Sequence, residues 1–388
     1  MIYTDILQYL LISYLGFSSF YIFIFAFAGM FKIRPKKPSF DVLRKYAVLI
    51  PGYKEDQVIV NVAADALNQE YPKELYDVVV IADSFKKETL DELSKLDIKV
   101  IEVSFELSTK SKALNVAMDQ LGDDYDVALI LDADNLMQLD FISKINGAFN
   151  LGYTAVQGHR IAKNTNTRFA ILDAISEEVN NRIFRKGHRV LGLSAALIGS
   201  GMAIDYKYFK NMMKSIKAIG GFDKELELQI LKETRIIGYL ENAYVYDEKV
   251  QKAEVFSNQR RRWLSAQVHY FSKDFINSVK HLIKYRNIDY FDKAIQFIQP
   301  PRIMLLGILV LINAVSIIFN TIPWMTAWLY VFGAVVLTFI FSIPGKFYNF
   351  KTLMAVVTLP KAFVLMFISL LKIRGANKKF IHTEHTSN

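Results

Sequence analysis

The chain has 388 residues and no cysteine, which excludes disulfides, thiolate metal sites and a thiol nucleophile. Hydrophobic residues make up 52% and mean hydropathy is +0.20, high for a soluble protein and enough for a globular core plus membrane segments. The formal net charge of +9 suits cytoplasmic loops and lipid-headgroup contact, and with no nucleic-acid motif beside it nucleic acid is not expected as a partner.

Residues 6–31 carry no charge and are long enough to span a bilayer. The start "MIYTD" lacks the positive region that opens a secretory signal, so residues 1–31 are expected to be an uncleaved anchor despite the "AFAG" near their end. Lys32, Arg34, Lys36 and Lys37 follow at once, which puts that side in the cytoplasm and the N-terminus outside.

From about residue 45 to 250 the pattern changes. "YAVLIP", "DVVVIAD", "IKVIEV", "VALILDAD", "YTAVQG" and "ALIGSGMAI" are near-continuous apolar runs, as buried strands are. Helical periodicity lies between them, at residues 58–68, 112–121 and 142–149. This alternation predicts an α/β fold with a mostly parallel sheet and a ligand site at the C-terminal strand ends. Polar residues stand where that rule wants them: Glu55 and Asp56 after the first strand, Asp83 ending the second, and Asp132 and Asp134 after "VALIL". Each alone could be a turn residue or a helix N-cap. Together, Asp132 and Asp134 are two hard oxygen ligands near one point, suited to Mg²⁺ or Mn²⁺ holding a diphosphate.

Further on comes "VFSNQRRRWLSAQ", with Arg260, Arg261 and Arg262 stacked against Trp263. A solvated basic face and an anion clamp beside a flat apolar platform both fit it. The stretch after it repeats Val268, Phe271, Phe275, Val279 and Leu282 at helical spacing, with Lys273, Lys280 and Lys284 interleaved. Residues 257–301 are therefore expected to end in an interfacial amphipathic helix. Residues 302–345 form a transmembrane hairpin broken at "NTIPW". Residues 352–372, interrupted by Pro360 and Lys361, read as a re-entrant or interfacial helix rather than a further span, because a crossing would put the basic tail at 373–388 outside.

The motifs "VLIPGYKED", "VVVIADSF", "TKSKALNVA", "LILDADN", "LIGSGMAI", "GGFDKELELQIL" and "QRRRW" follow one another. In that order they resemble membrane-bound, inverting family 2 glycosyltransferases, the branch of cellulose, chitin, hyaluronan and poly-N-acetylglucosamine synthases. The resemblance covers about residues 45–270. It implies a cytosolic GT-A domain, Rossmann-like, over residues 38–256, flanked by transmembrane and interfacial helices in a multi-pass protein of the cytoplasmic membrane. It implies that Asp83 reads the uracil of a UDP-sugar, with Lys110 nearby and Tyr53 and Glu55 lining the nucleotide. Asp134 would ligate the metal, and Asp132 would contact sugar or ribose beside it. Gly199, Ser200 and Gly201 would lie under the acceptor sugar. Gln259, Arg262 and Trp263 match the Q-x-x-R-W motif. Physics agrees: a divalent ion and a guanidinium fork both stabilise a leaving diphosphate, and Trp263 offers a flat face to an acceptor sugar. Arg260 and Arg261 are then phosphate- or headgroup-facing neighbours.

The chain departs from the family at the base. Where the family has an aspartate before the "LEL" run, Glu225 stands, with one extra methylene and Lys224 placed to hold it ionised. Glu225 is expected to deprotonate the acceptor hydroxyl, with Asp223 as the other candidate; a charged helix start is the plain alternative. Lys54 replaces the usual Asn of the first loop, and "KKFIHTEHT" carries Phe380 and His385 where the family ending has Trp and Arg. The expected product is a β-linked polysaccharide or oligosaccharide from a nucleotide sugar such as UDP-Glc or UDP-GlcNAc. Transfer of one sugar to a lipid stays open, since three or four segments make a narrow channel unless a partner subunit or a homo-oligomer completes it. A non-catalytic glycosyltransferase-like subunit and a membrane scaffold are the remaining alternatives.

Overall fold

A computed structural model describes residues 2–34, 41–216, 220–251, 253–319 and 324–372. Lys36, Lys37, the "NTIP" break, Phe380, His385 and the basic tail lie outside the described residues. Helix α1 (Ile2–Ala28) leads into β1 (Tyr46–Tyr53), α2 (Ile59–Ala66), β2 (Tyr76–Asp83), α3 (Lys87–Leu93), β3 (Lys99–Val103), α4 (Lys110–Leu121) and β4 (Val127–Ile130). Next come β5 (Leu136–Met137), α5 (Phe141–Asn150), β6 (Ala155–Ala162) and α6 (Arg168–Asn180). A π-helical stretch (Asn181–Gly187) carries α6 into α7 (His188–Val190). Then follow β7 (Met202–Asp205), α8 (Tyr206–Met213), α9 (Phe222–Lys232) and β8 (Ile237–Asp247).

The strands form one eight-stranded sheet in the order β3-β2-β1-β4-β7-β6-β8-β5. β1 runs parallel to β2 and β4, β2 to β3, and β6 to β8. β7 is antiparallel to both β4 and β6, and β5 to β8. The expected mostly parallel α/β sheet is what forms, a GT-A-like fold. Helices cover both faces, so β1, β2 and β4 can be Val/Ile/Leu-rich without alternation. Leu49, Ile81 and Ile130 point to one core, and Val48, Val80 and Leu129 to the other.

Two strand boundaries differ from the expectation. β7 begins only at Met202, because Gly199 (φ 80°) and Gly201 (φ 58°) take left-handed conformations that no strand accepts. A Cβ on Gly201 would also meet Val245 Cγ2 at 2.8 Å. β8 was not foreseen, since the exposed Glu241 and Asn242 interrupt its apolar alternation.

The C-terminal part holds α10 (Ala253–Tyr285), α11 (Ile288–Ile298), α12 (Arg302–Ile318), α13 (Trp324–Ser342), α14 (Phe350–Val356) and α15 (Leu359–Leu371). Among the described residues two helices are long and apolar enough to cross a membrane, α1 over Asp5–Ala28 and α13. Two bent pairs could each serve as one span or a re-entrant loop: α11 with α12, bent by 57°, and α14 with α15, bent by 45°. The arginine-rich motif does not precede an amphipathic helix; it lies inside α10, which runs unbroken for 33 residues.

Helix α6 and its π-helical extension join the two parts, and the sequence did not announce them. Ile171 and Ile175 of α6 pack with Leu15, Ile22 and Phe25 of α1 and with Trp328 and Val331 of α13. Trp328 is fully buried and donates its indole N–H to Gln8 of α1 at 2.9 Å. Gly187 seats α1 closely: a Cβ there would meet the Phe25 carbonyl oxygen at 2.0 Å. The His188 ring then stacks on the Phe25 ring, centroids 3.6 Å apart.

Candidate active site

The parallel strands end together. Tyr53 and Asp83 are register partners at the C-terminal ends of β1 and β2. Asp83 is buried, with its carboxylate accepting the Ser84 hydroxyl at 2.9 Å. Glu55 is buried in the loop that follows β1. Lys54 between them has φ 55° and donates its backbone N–H to the Asp83 carbonyl at 3.1 Å. That conformation suits Asn and Gly far better than Lys, which gives a physical reason for the residue usual at this place.

One strand over, Asp132 and Asp134 follow β4. Leu131 N–H still donates to Leu49 O at 3.0 Å, so the turn starts only after it. The Asp132 amide donates to Ser200 Oγ at 2.9 Å, and Ser200 in turn donates to Asn135 Oδ1 at 2.5 Å. Asn135 Nδ2 bridges Asp134 Oδ1, at 3.1 Å, and Asp247 Oδ1, at 3.0 Å. Gln157, fully buried on β6, donates to the carbonyls of Ser200 and Gly201 at 2.9 and 3.0 Å and accepts the Ile198 N–H at 3.1 Å. The carboxylate pair and the Gly199–Ser200–Gly201 loop are thus fixed to each other. Asn135 and Gln157 do this, and sequence reasoning missed both, although Asn135 stands inside the quoted "LDADN".

Lys110, the first residue of α4, ties the loop to the carboxylates a second time. Its ammonium pairs with Asp132 Oδ1 and donates to the Gly199 carbonyl at 2.7 Å. It also lies 5.4 Å from the centre of the Phe222 ring. Asp223 follows that ring, and its Cγ lies 3.7 Å from where a Gly199 Cβ would be. Lys110, Asp132, Gly199 and Asp223 therefore share one place.

Glu225 has a partner of its own. Its carboxylate accepts Lys273 Nζ of α10 at 2.8 Å, while Lys224 lies 3.8 Å from Asp223. The partner that neutralises Glu225 is thus Lys273 rather than the expected Lys224. Tyr270 donates to the Gly221 carbonyl at 3.3 Å. Burial first, then the charges of Glu225 and Asp223, push the Tyr270 phenol above its ordinary value.

The basic motif separates its arginines. Arg260 is buried, pairs with Asp173 of α6 and lies 4.2 Å over the Trp263 ring. It is not headgroup-facing, which corrects the expectation for this residue; burial lowers its pKa, and Asp173 and Glu177 offset part of that. Arg262, two residues on and so across the same turn of the helix, is half-buried, and burial lowers it too. Trp263 stays 38% exposed, enough to offer ring surface to a ligand. Leu264 packs on Met304 of α12 and Met366 of α15, so the motif abuts the apolar helices.

Under the site lies a buried ionic network. Glu177 accepts Arg160 and Arg185, each at 2.9 Å, and Asp247 takes Lys249 at 2.5 Å and Arg160 at 3.5 Å. Burial would raise Glu177, but Arg160, Arg185 and Lys249 outweigh it and hold the carboxyl well below its usual range. Asp247 is likewise held low against burial by Arg160 and Lys249. The "YDEK" at the end of β8 was the available signal, three charged residues at a strand end.

Among the described residues no group of three or more His, Asp and Glu side chains could hold a metal ion. Asp132 and Asp134 fit a divalent cation only as two carboxylates, the other positions falling to phosphate oxygens and water. Mg²⁺ and Mn²⁺ beside a substrate diphosphate take that donor set.

The sequence profile described as "Glycosyltransferase like family 2" matches residues 44–266. No curated protein matches the chain by sequence. Among solved structures it is similar to the mannosyltransferase PcManGT from Pyrobaculum calidifontis in complex with GDP-Man and Mn²⁺. The TM-score is 0.52 at 15% identity, over 85% of this chain and 97% of that one. S. aureus TarS 1-349 gives a TM-score of 0.42 at 15% identity, over 86% and 90%. Glucosyl-3-phosphoglycerate synthase from Mycobacterium tuberculosis, with Mn²⁺, UDP and phosphoglyceric acid, gives 0.41 at 13% identity, over 57% and 76%.

Proposed function

The chain belongs to the glycosyltransferase-like family 2, and from that premise we propose that it is a membrane-bound, inverting glycosyltransferase that builds a β-linked glycan from a nucleotide sugar. The observation that carries this reading is the Lys110 bridge from Asp132 to the Gly199 carbonyl, with Asp223 packed against Gly199. It supports the reading because a carboxylate pair, a glycine loop and a further carboxylate lie close enough together to serve one reacting centre.

The donor is a UDP-sugar, UDP-Glc or UDP-GlcNAc, with its base beside Asp83 and its nucleoside against Tyr53 and Glu55. Asp134 and Asp132 hold Mg²⁺ or Mn²⁺, which supplies charge stabilisation to the leaving diphosphate. Arg262 offers a guanidinium fork to the same phosphates, with Gln259 one turn before it on α10. Trp263 seats the acceptor sugar, its ring steadied by Arg260. The base is Asp223: it takes the proton from the acceptor hydroxyl as that oxygen attacks the anomeric carbon from the face opposite the diphosphate. Glu225, the residue expected from the motif alone, is instead the α9 end of a tie to α10.

The helices α1 and α13 cross the cytoplasmic membrane, with the catalytic domain on the cytoplasmic side. α10 lies at the interface: Val268, Ile276 and Ile283 are 52%, 61% and 78% exposed along it, with Lys273 between them. One observation favours a lipid acceptor as a second reading, namely that Leu264, next to Trp263, packs on Met304 and Met366. An acceptor reaching Trp263 would then come along the apolar helices.

The test is turnover by the protein in lipid nanodiscs with Mg²⁺ or Mn²⁺ and labelled UDP-Glc, UDP-GlcNAc, UDP-GlcA or UDP-Gal. A high-molecular-weight, glycosidase-sensitive product is the expected result. One sugar on an extractable lipid would establish the second reading. Neither transfer nor UDP release with any donor would overturn both.

A further inference from the structure

We propose that Lys110 is a built-in placeholder cation. With no nucleotide bound it occupies Asp132 and ties down the Gly199 loop, and it leaves both when the metal and the donor diphosphate arrive. The inference rests on the reading of Asp132 and Asp134 as the metal pair.

Three contacts carry it. The Lys110 ammonium pairs with Asp132 Oδ1, the carboxylate that opens the pair. The same nitrogen donates to the Gly199 carbonyl at 2.7 Å. It also faces the Phe222 ring at 5.4 Å, one residue before Asp223. One ammonium thus spans the metal pair, the acceptor loop and the start of the helix that bears the base. Pair and ammonium are only partly screened, the side chains of Lys110 and Asp132 being 22% and 35% exposed. A divalent cation cannot share Asp132 with that ammonium at no cost, because like charges repel at this range.

The consequence is an order of events. A metal ion alone competes with Lys110 and binds weakly. A metal ion with a nucleoside diphosphate brings oxygens to which the ammonium can move, so the exchange becomes favourable. Lys110 then releases the Gly199 carbonyl, and the loop beside Asp223 is freed for the acceptor. Donor binds before acceptor.

The experiment is Mn²⁺ binding, read by the loss of free-ion electron paramagnetic resonance signal, on the full chain in nanodiscs without nucleotide. Lys110→Met is expected to bind Mn²⁺ about two- to fivefold tighter than the unaltered protein, the size of one partly screened ion pair. Lys110→Arg, which keeps the cation, is expected to leave the affinity unchanged. Lys110→Gln keeps a polar tip of similar reach and is expected to match the methionine variant, which covers poor folding of the latter. Equal or weaker Mn²⁺ binding by both neutral variants would overturn the placeholder. Asp134→Asn separates this from the underlying reading: if Mn²⁺ binding survives that change, the metal pair itself is misassigned.

Discussion

Lys273 of α10 holds Glu225 of α9, Nζ to Oε1 at 2.8 Å, while Asp223, two residues before it, lies against Gly199. On the proposed reading Asp223 is the base and Glu225 a tie between helices. Asp223→Asn is expected to lower kcat by about 10²–10⁴, the usual contribution of a general base, with UDP binding intact. Glu225→Gln is expected to cost only a few-fold. Turnover and UDP binding measured on both variants decide it, and an inactive Glu225→Gln beside an active Asp223→Asn would return the base to Glu225.

Lys54 sits at φ 55°, where a non-glycine side chain costs about 1–2 kcal/mol. Lys54→Asn is expected to stabilise the protein by about 0.5–1 kcal/mol, since Asn tolerates this region. A raised thermal midpoint at unchanged donor KM is the outcome that checks it.

Gln157 bonds three backbone groups of the loop at 198–201 and is itself fully buried. Gln157→Leu takes that bond from the Ser200 carbonyl and the Ile198 N–H, while the Gly201 carbonyl keeps the Gly158 N–H at 2.8 Å; the cost is about 1–3 kcal/mol for each buried group left unmet. The expected readout is a lower thermal midpoint together with a raised KM for the acceptor, because Gly199 and Ser200 lose their fixed position.

Acid should undo the ionic network before it undoes the sheet. The folded pKa of Glu177 lies well below its ordinary 4.5. Between those two values the unfolded chain binds the proton and the folded chain does not. Stability that is full above pH 4.5 is therefore lost as pH falls through that window. Glu177→Gln is expected to cost about 3–5 kcal/mol at pH 7, since Arg160, Arg185 and Lys249 remain buried. It should also flatten the acid limb of a plot of thermal midpoint against pH.

Much of this was legible in the sequence for identifiable reasons. β1, β2 and β4 are buried on both faces, so their apolar runs are continuous and need no partner to be read. Asp132, Asp134, Arg262 and Trp263 stand in short local motifs. What stayed hidden depends on distant partners. Asp173, Glu177 and Glu178 make α6 look like a solvated helix, yet all are buried, because Arg260, Arg160 and His159 come to them from elsewhere. Lys273 is 48 residues from Glu225, and no local pattern links them. The arginine run could not say which of its members faces inward, since that follows from where α6 meets α10.

The bond between Trp328 and Gln8 also sets a clock. The two residues are 320 positions apart, so at ~5–20 residues per second α1 is made roughly 16–64 s before its partner. For that interval Gln8 lies in an apolar helix without its native donor. The closure of α1 onto α13 thus waits on a helix made after every strand of the sheet. Timed proteolysis of nascent chains would find the catalytic domain protected while the first helix is still open to exchange.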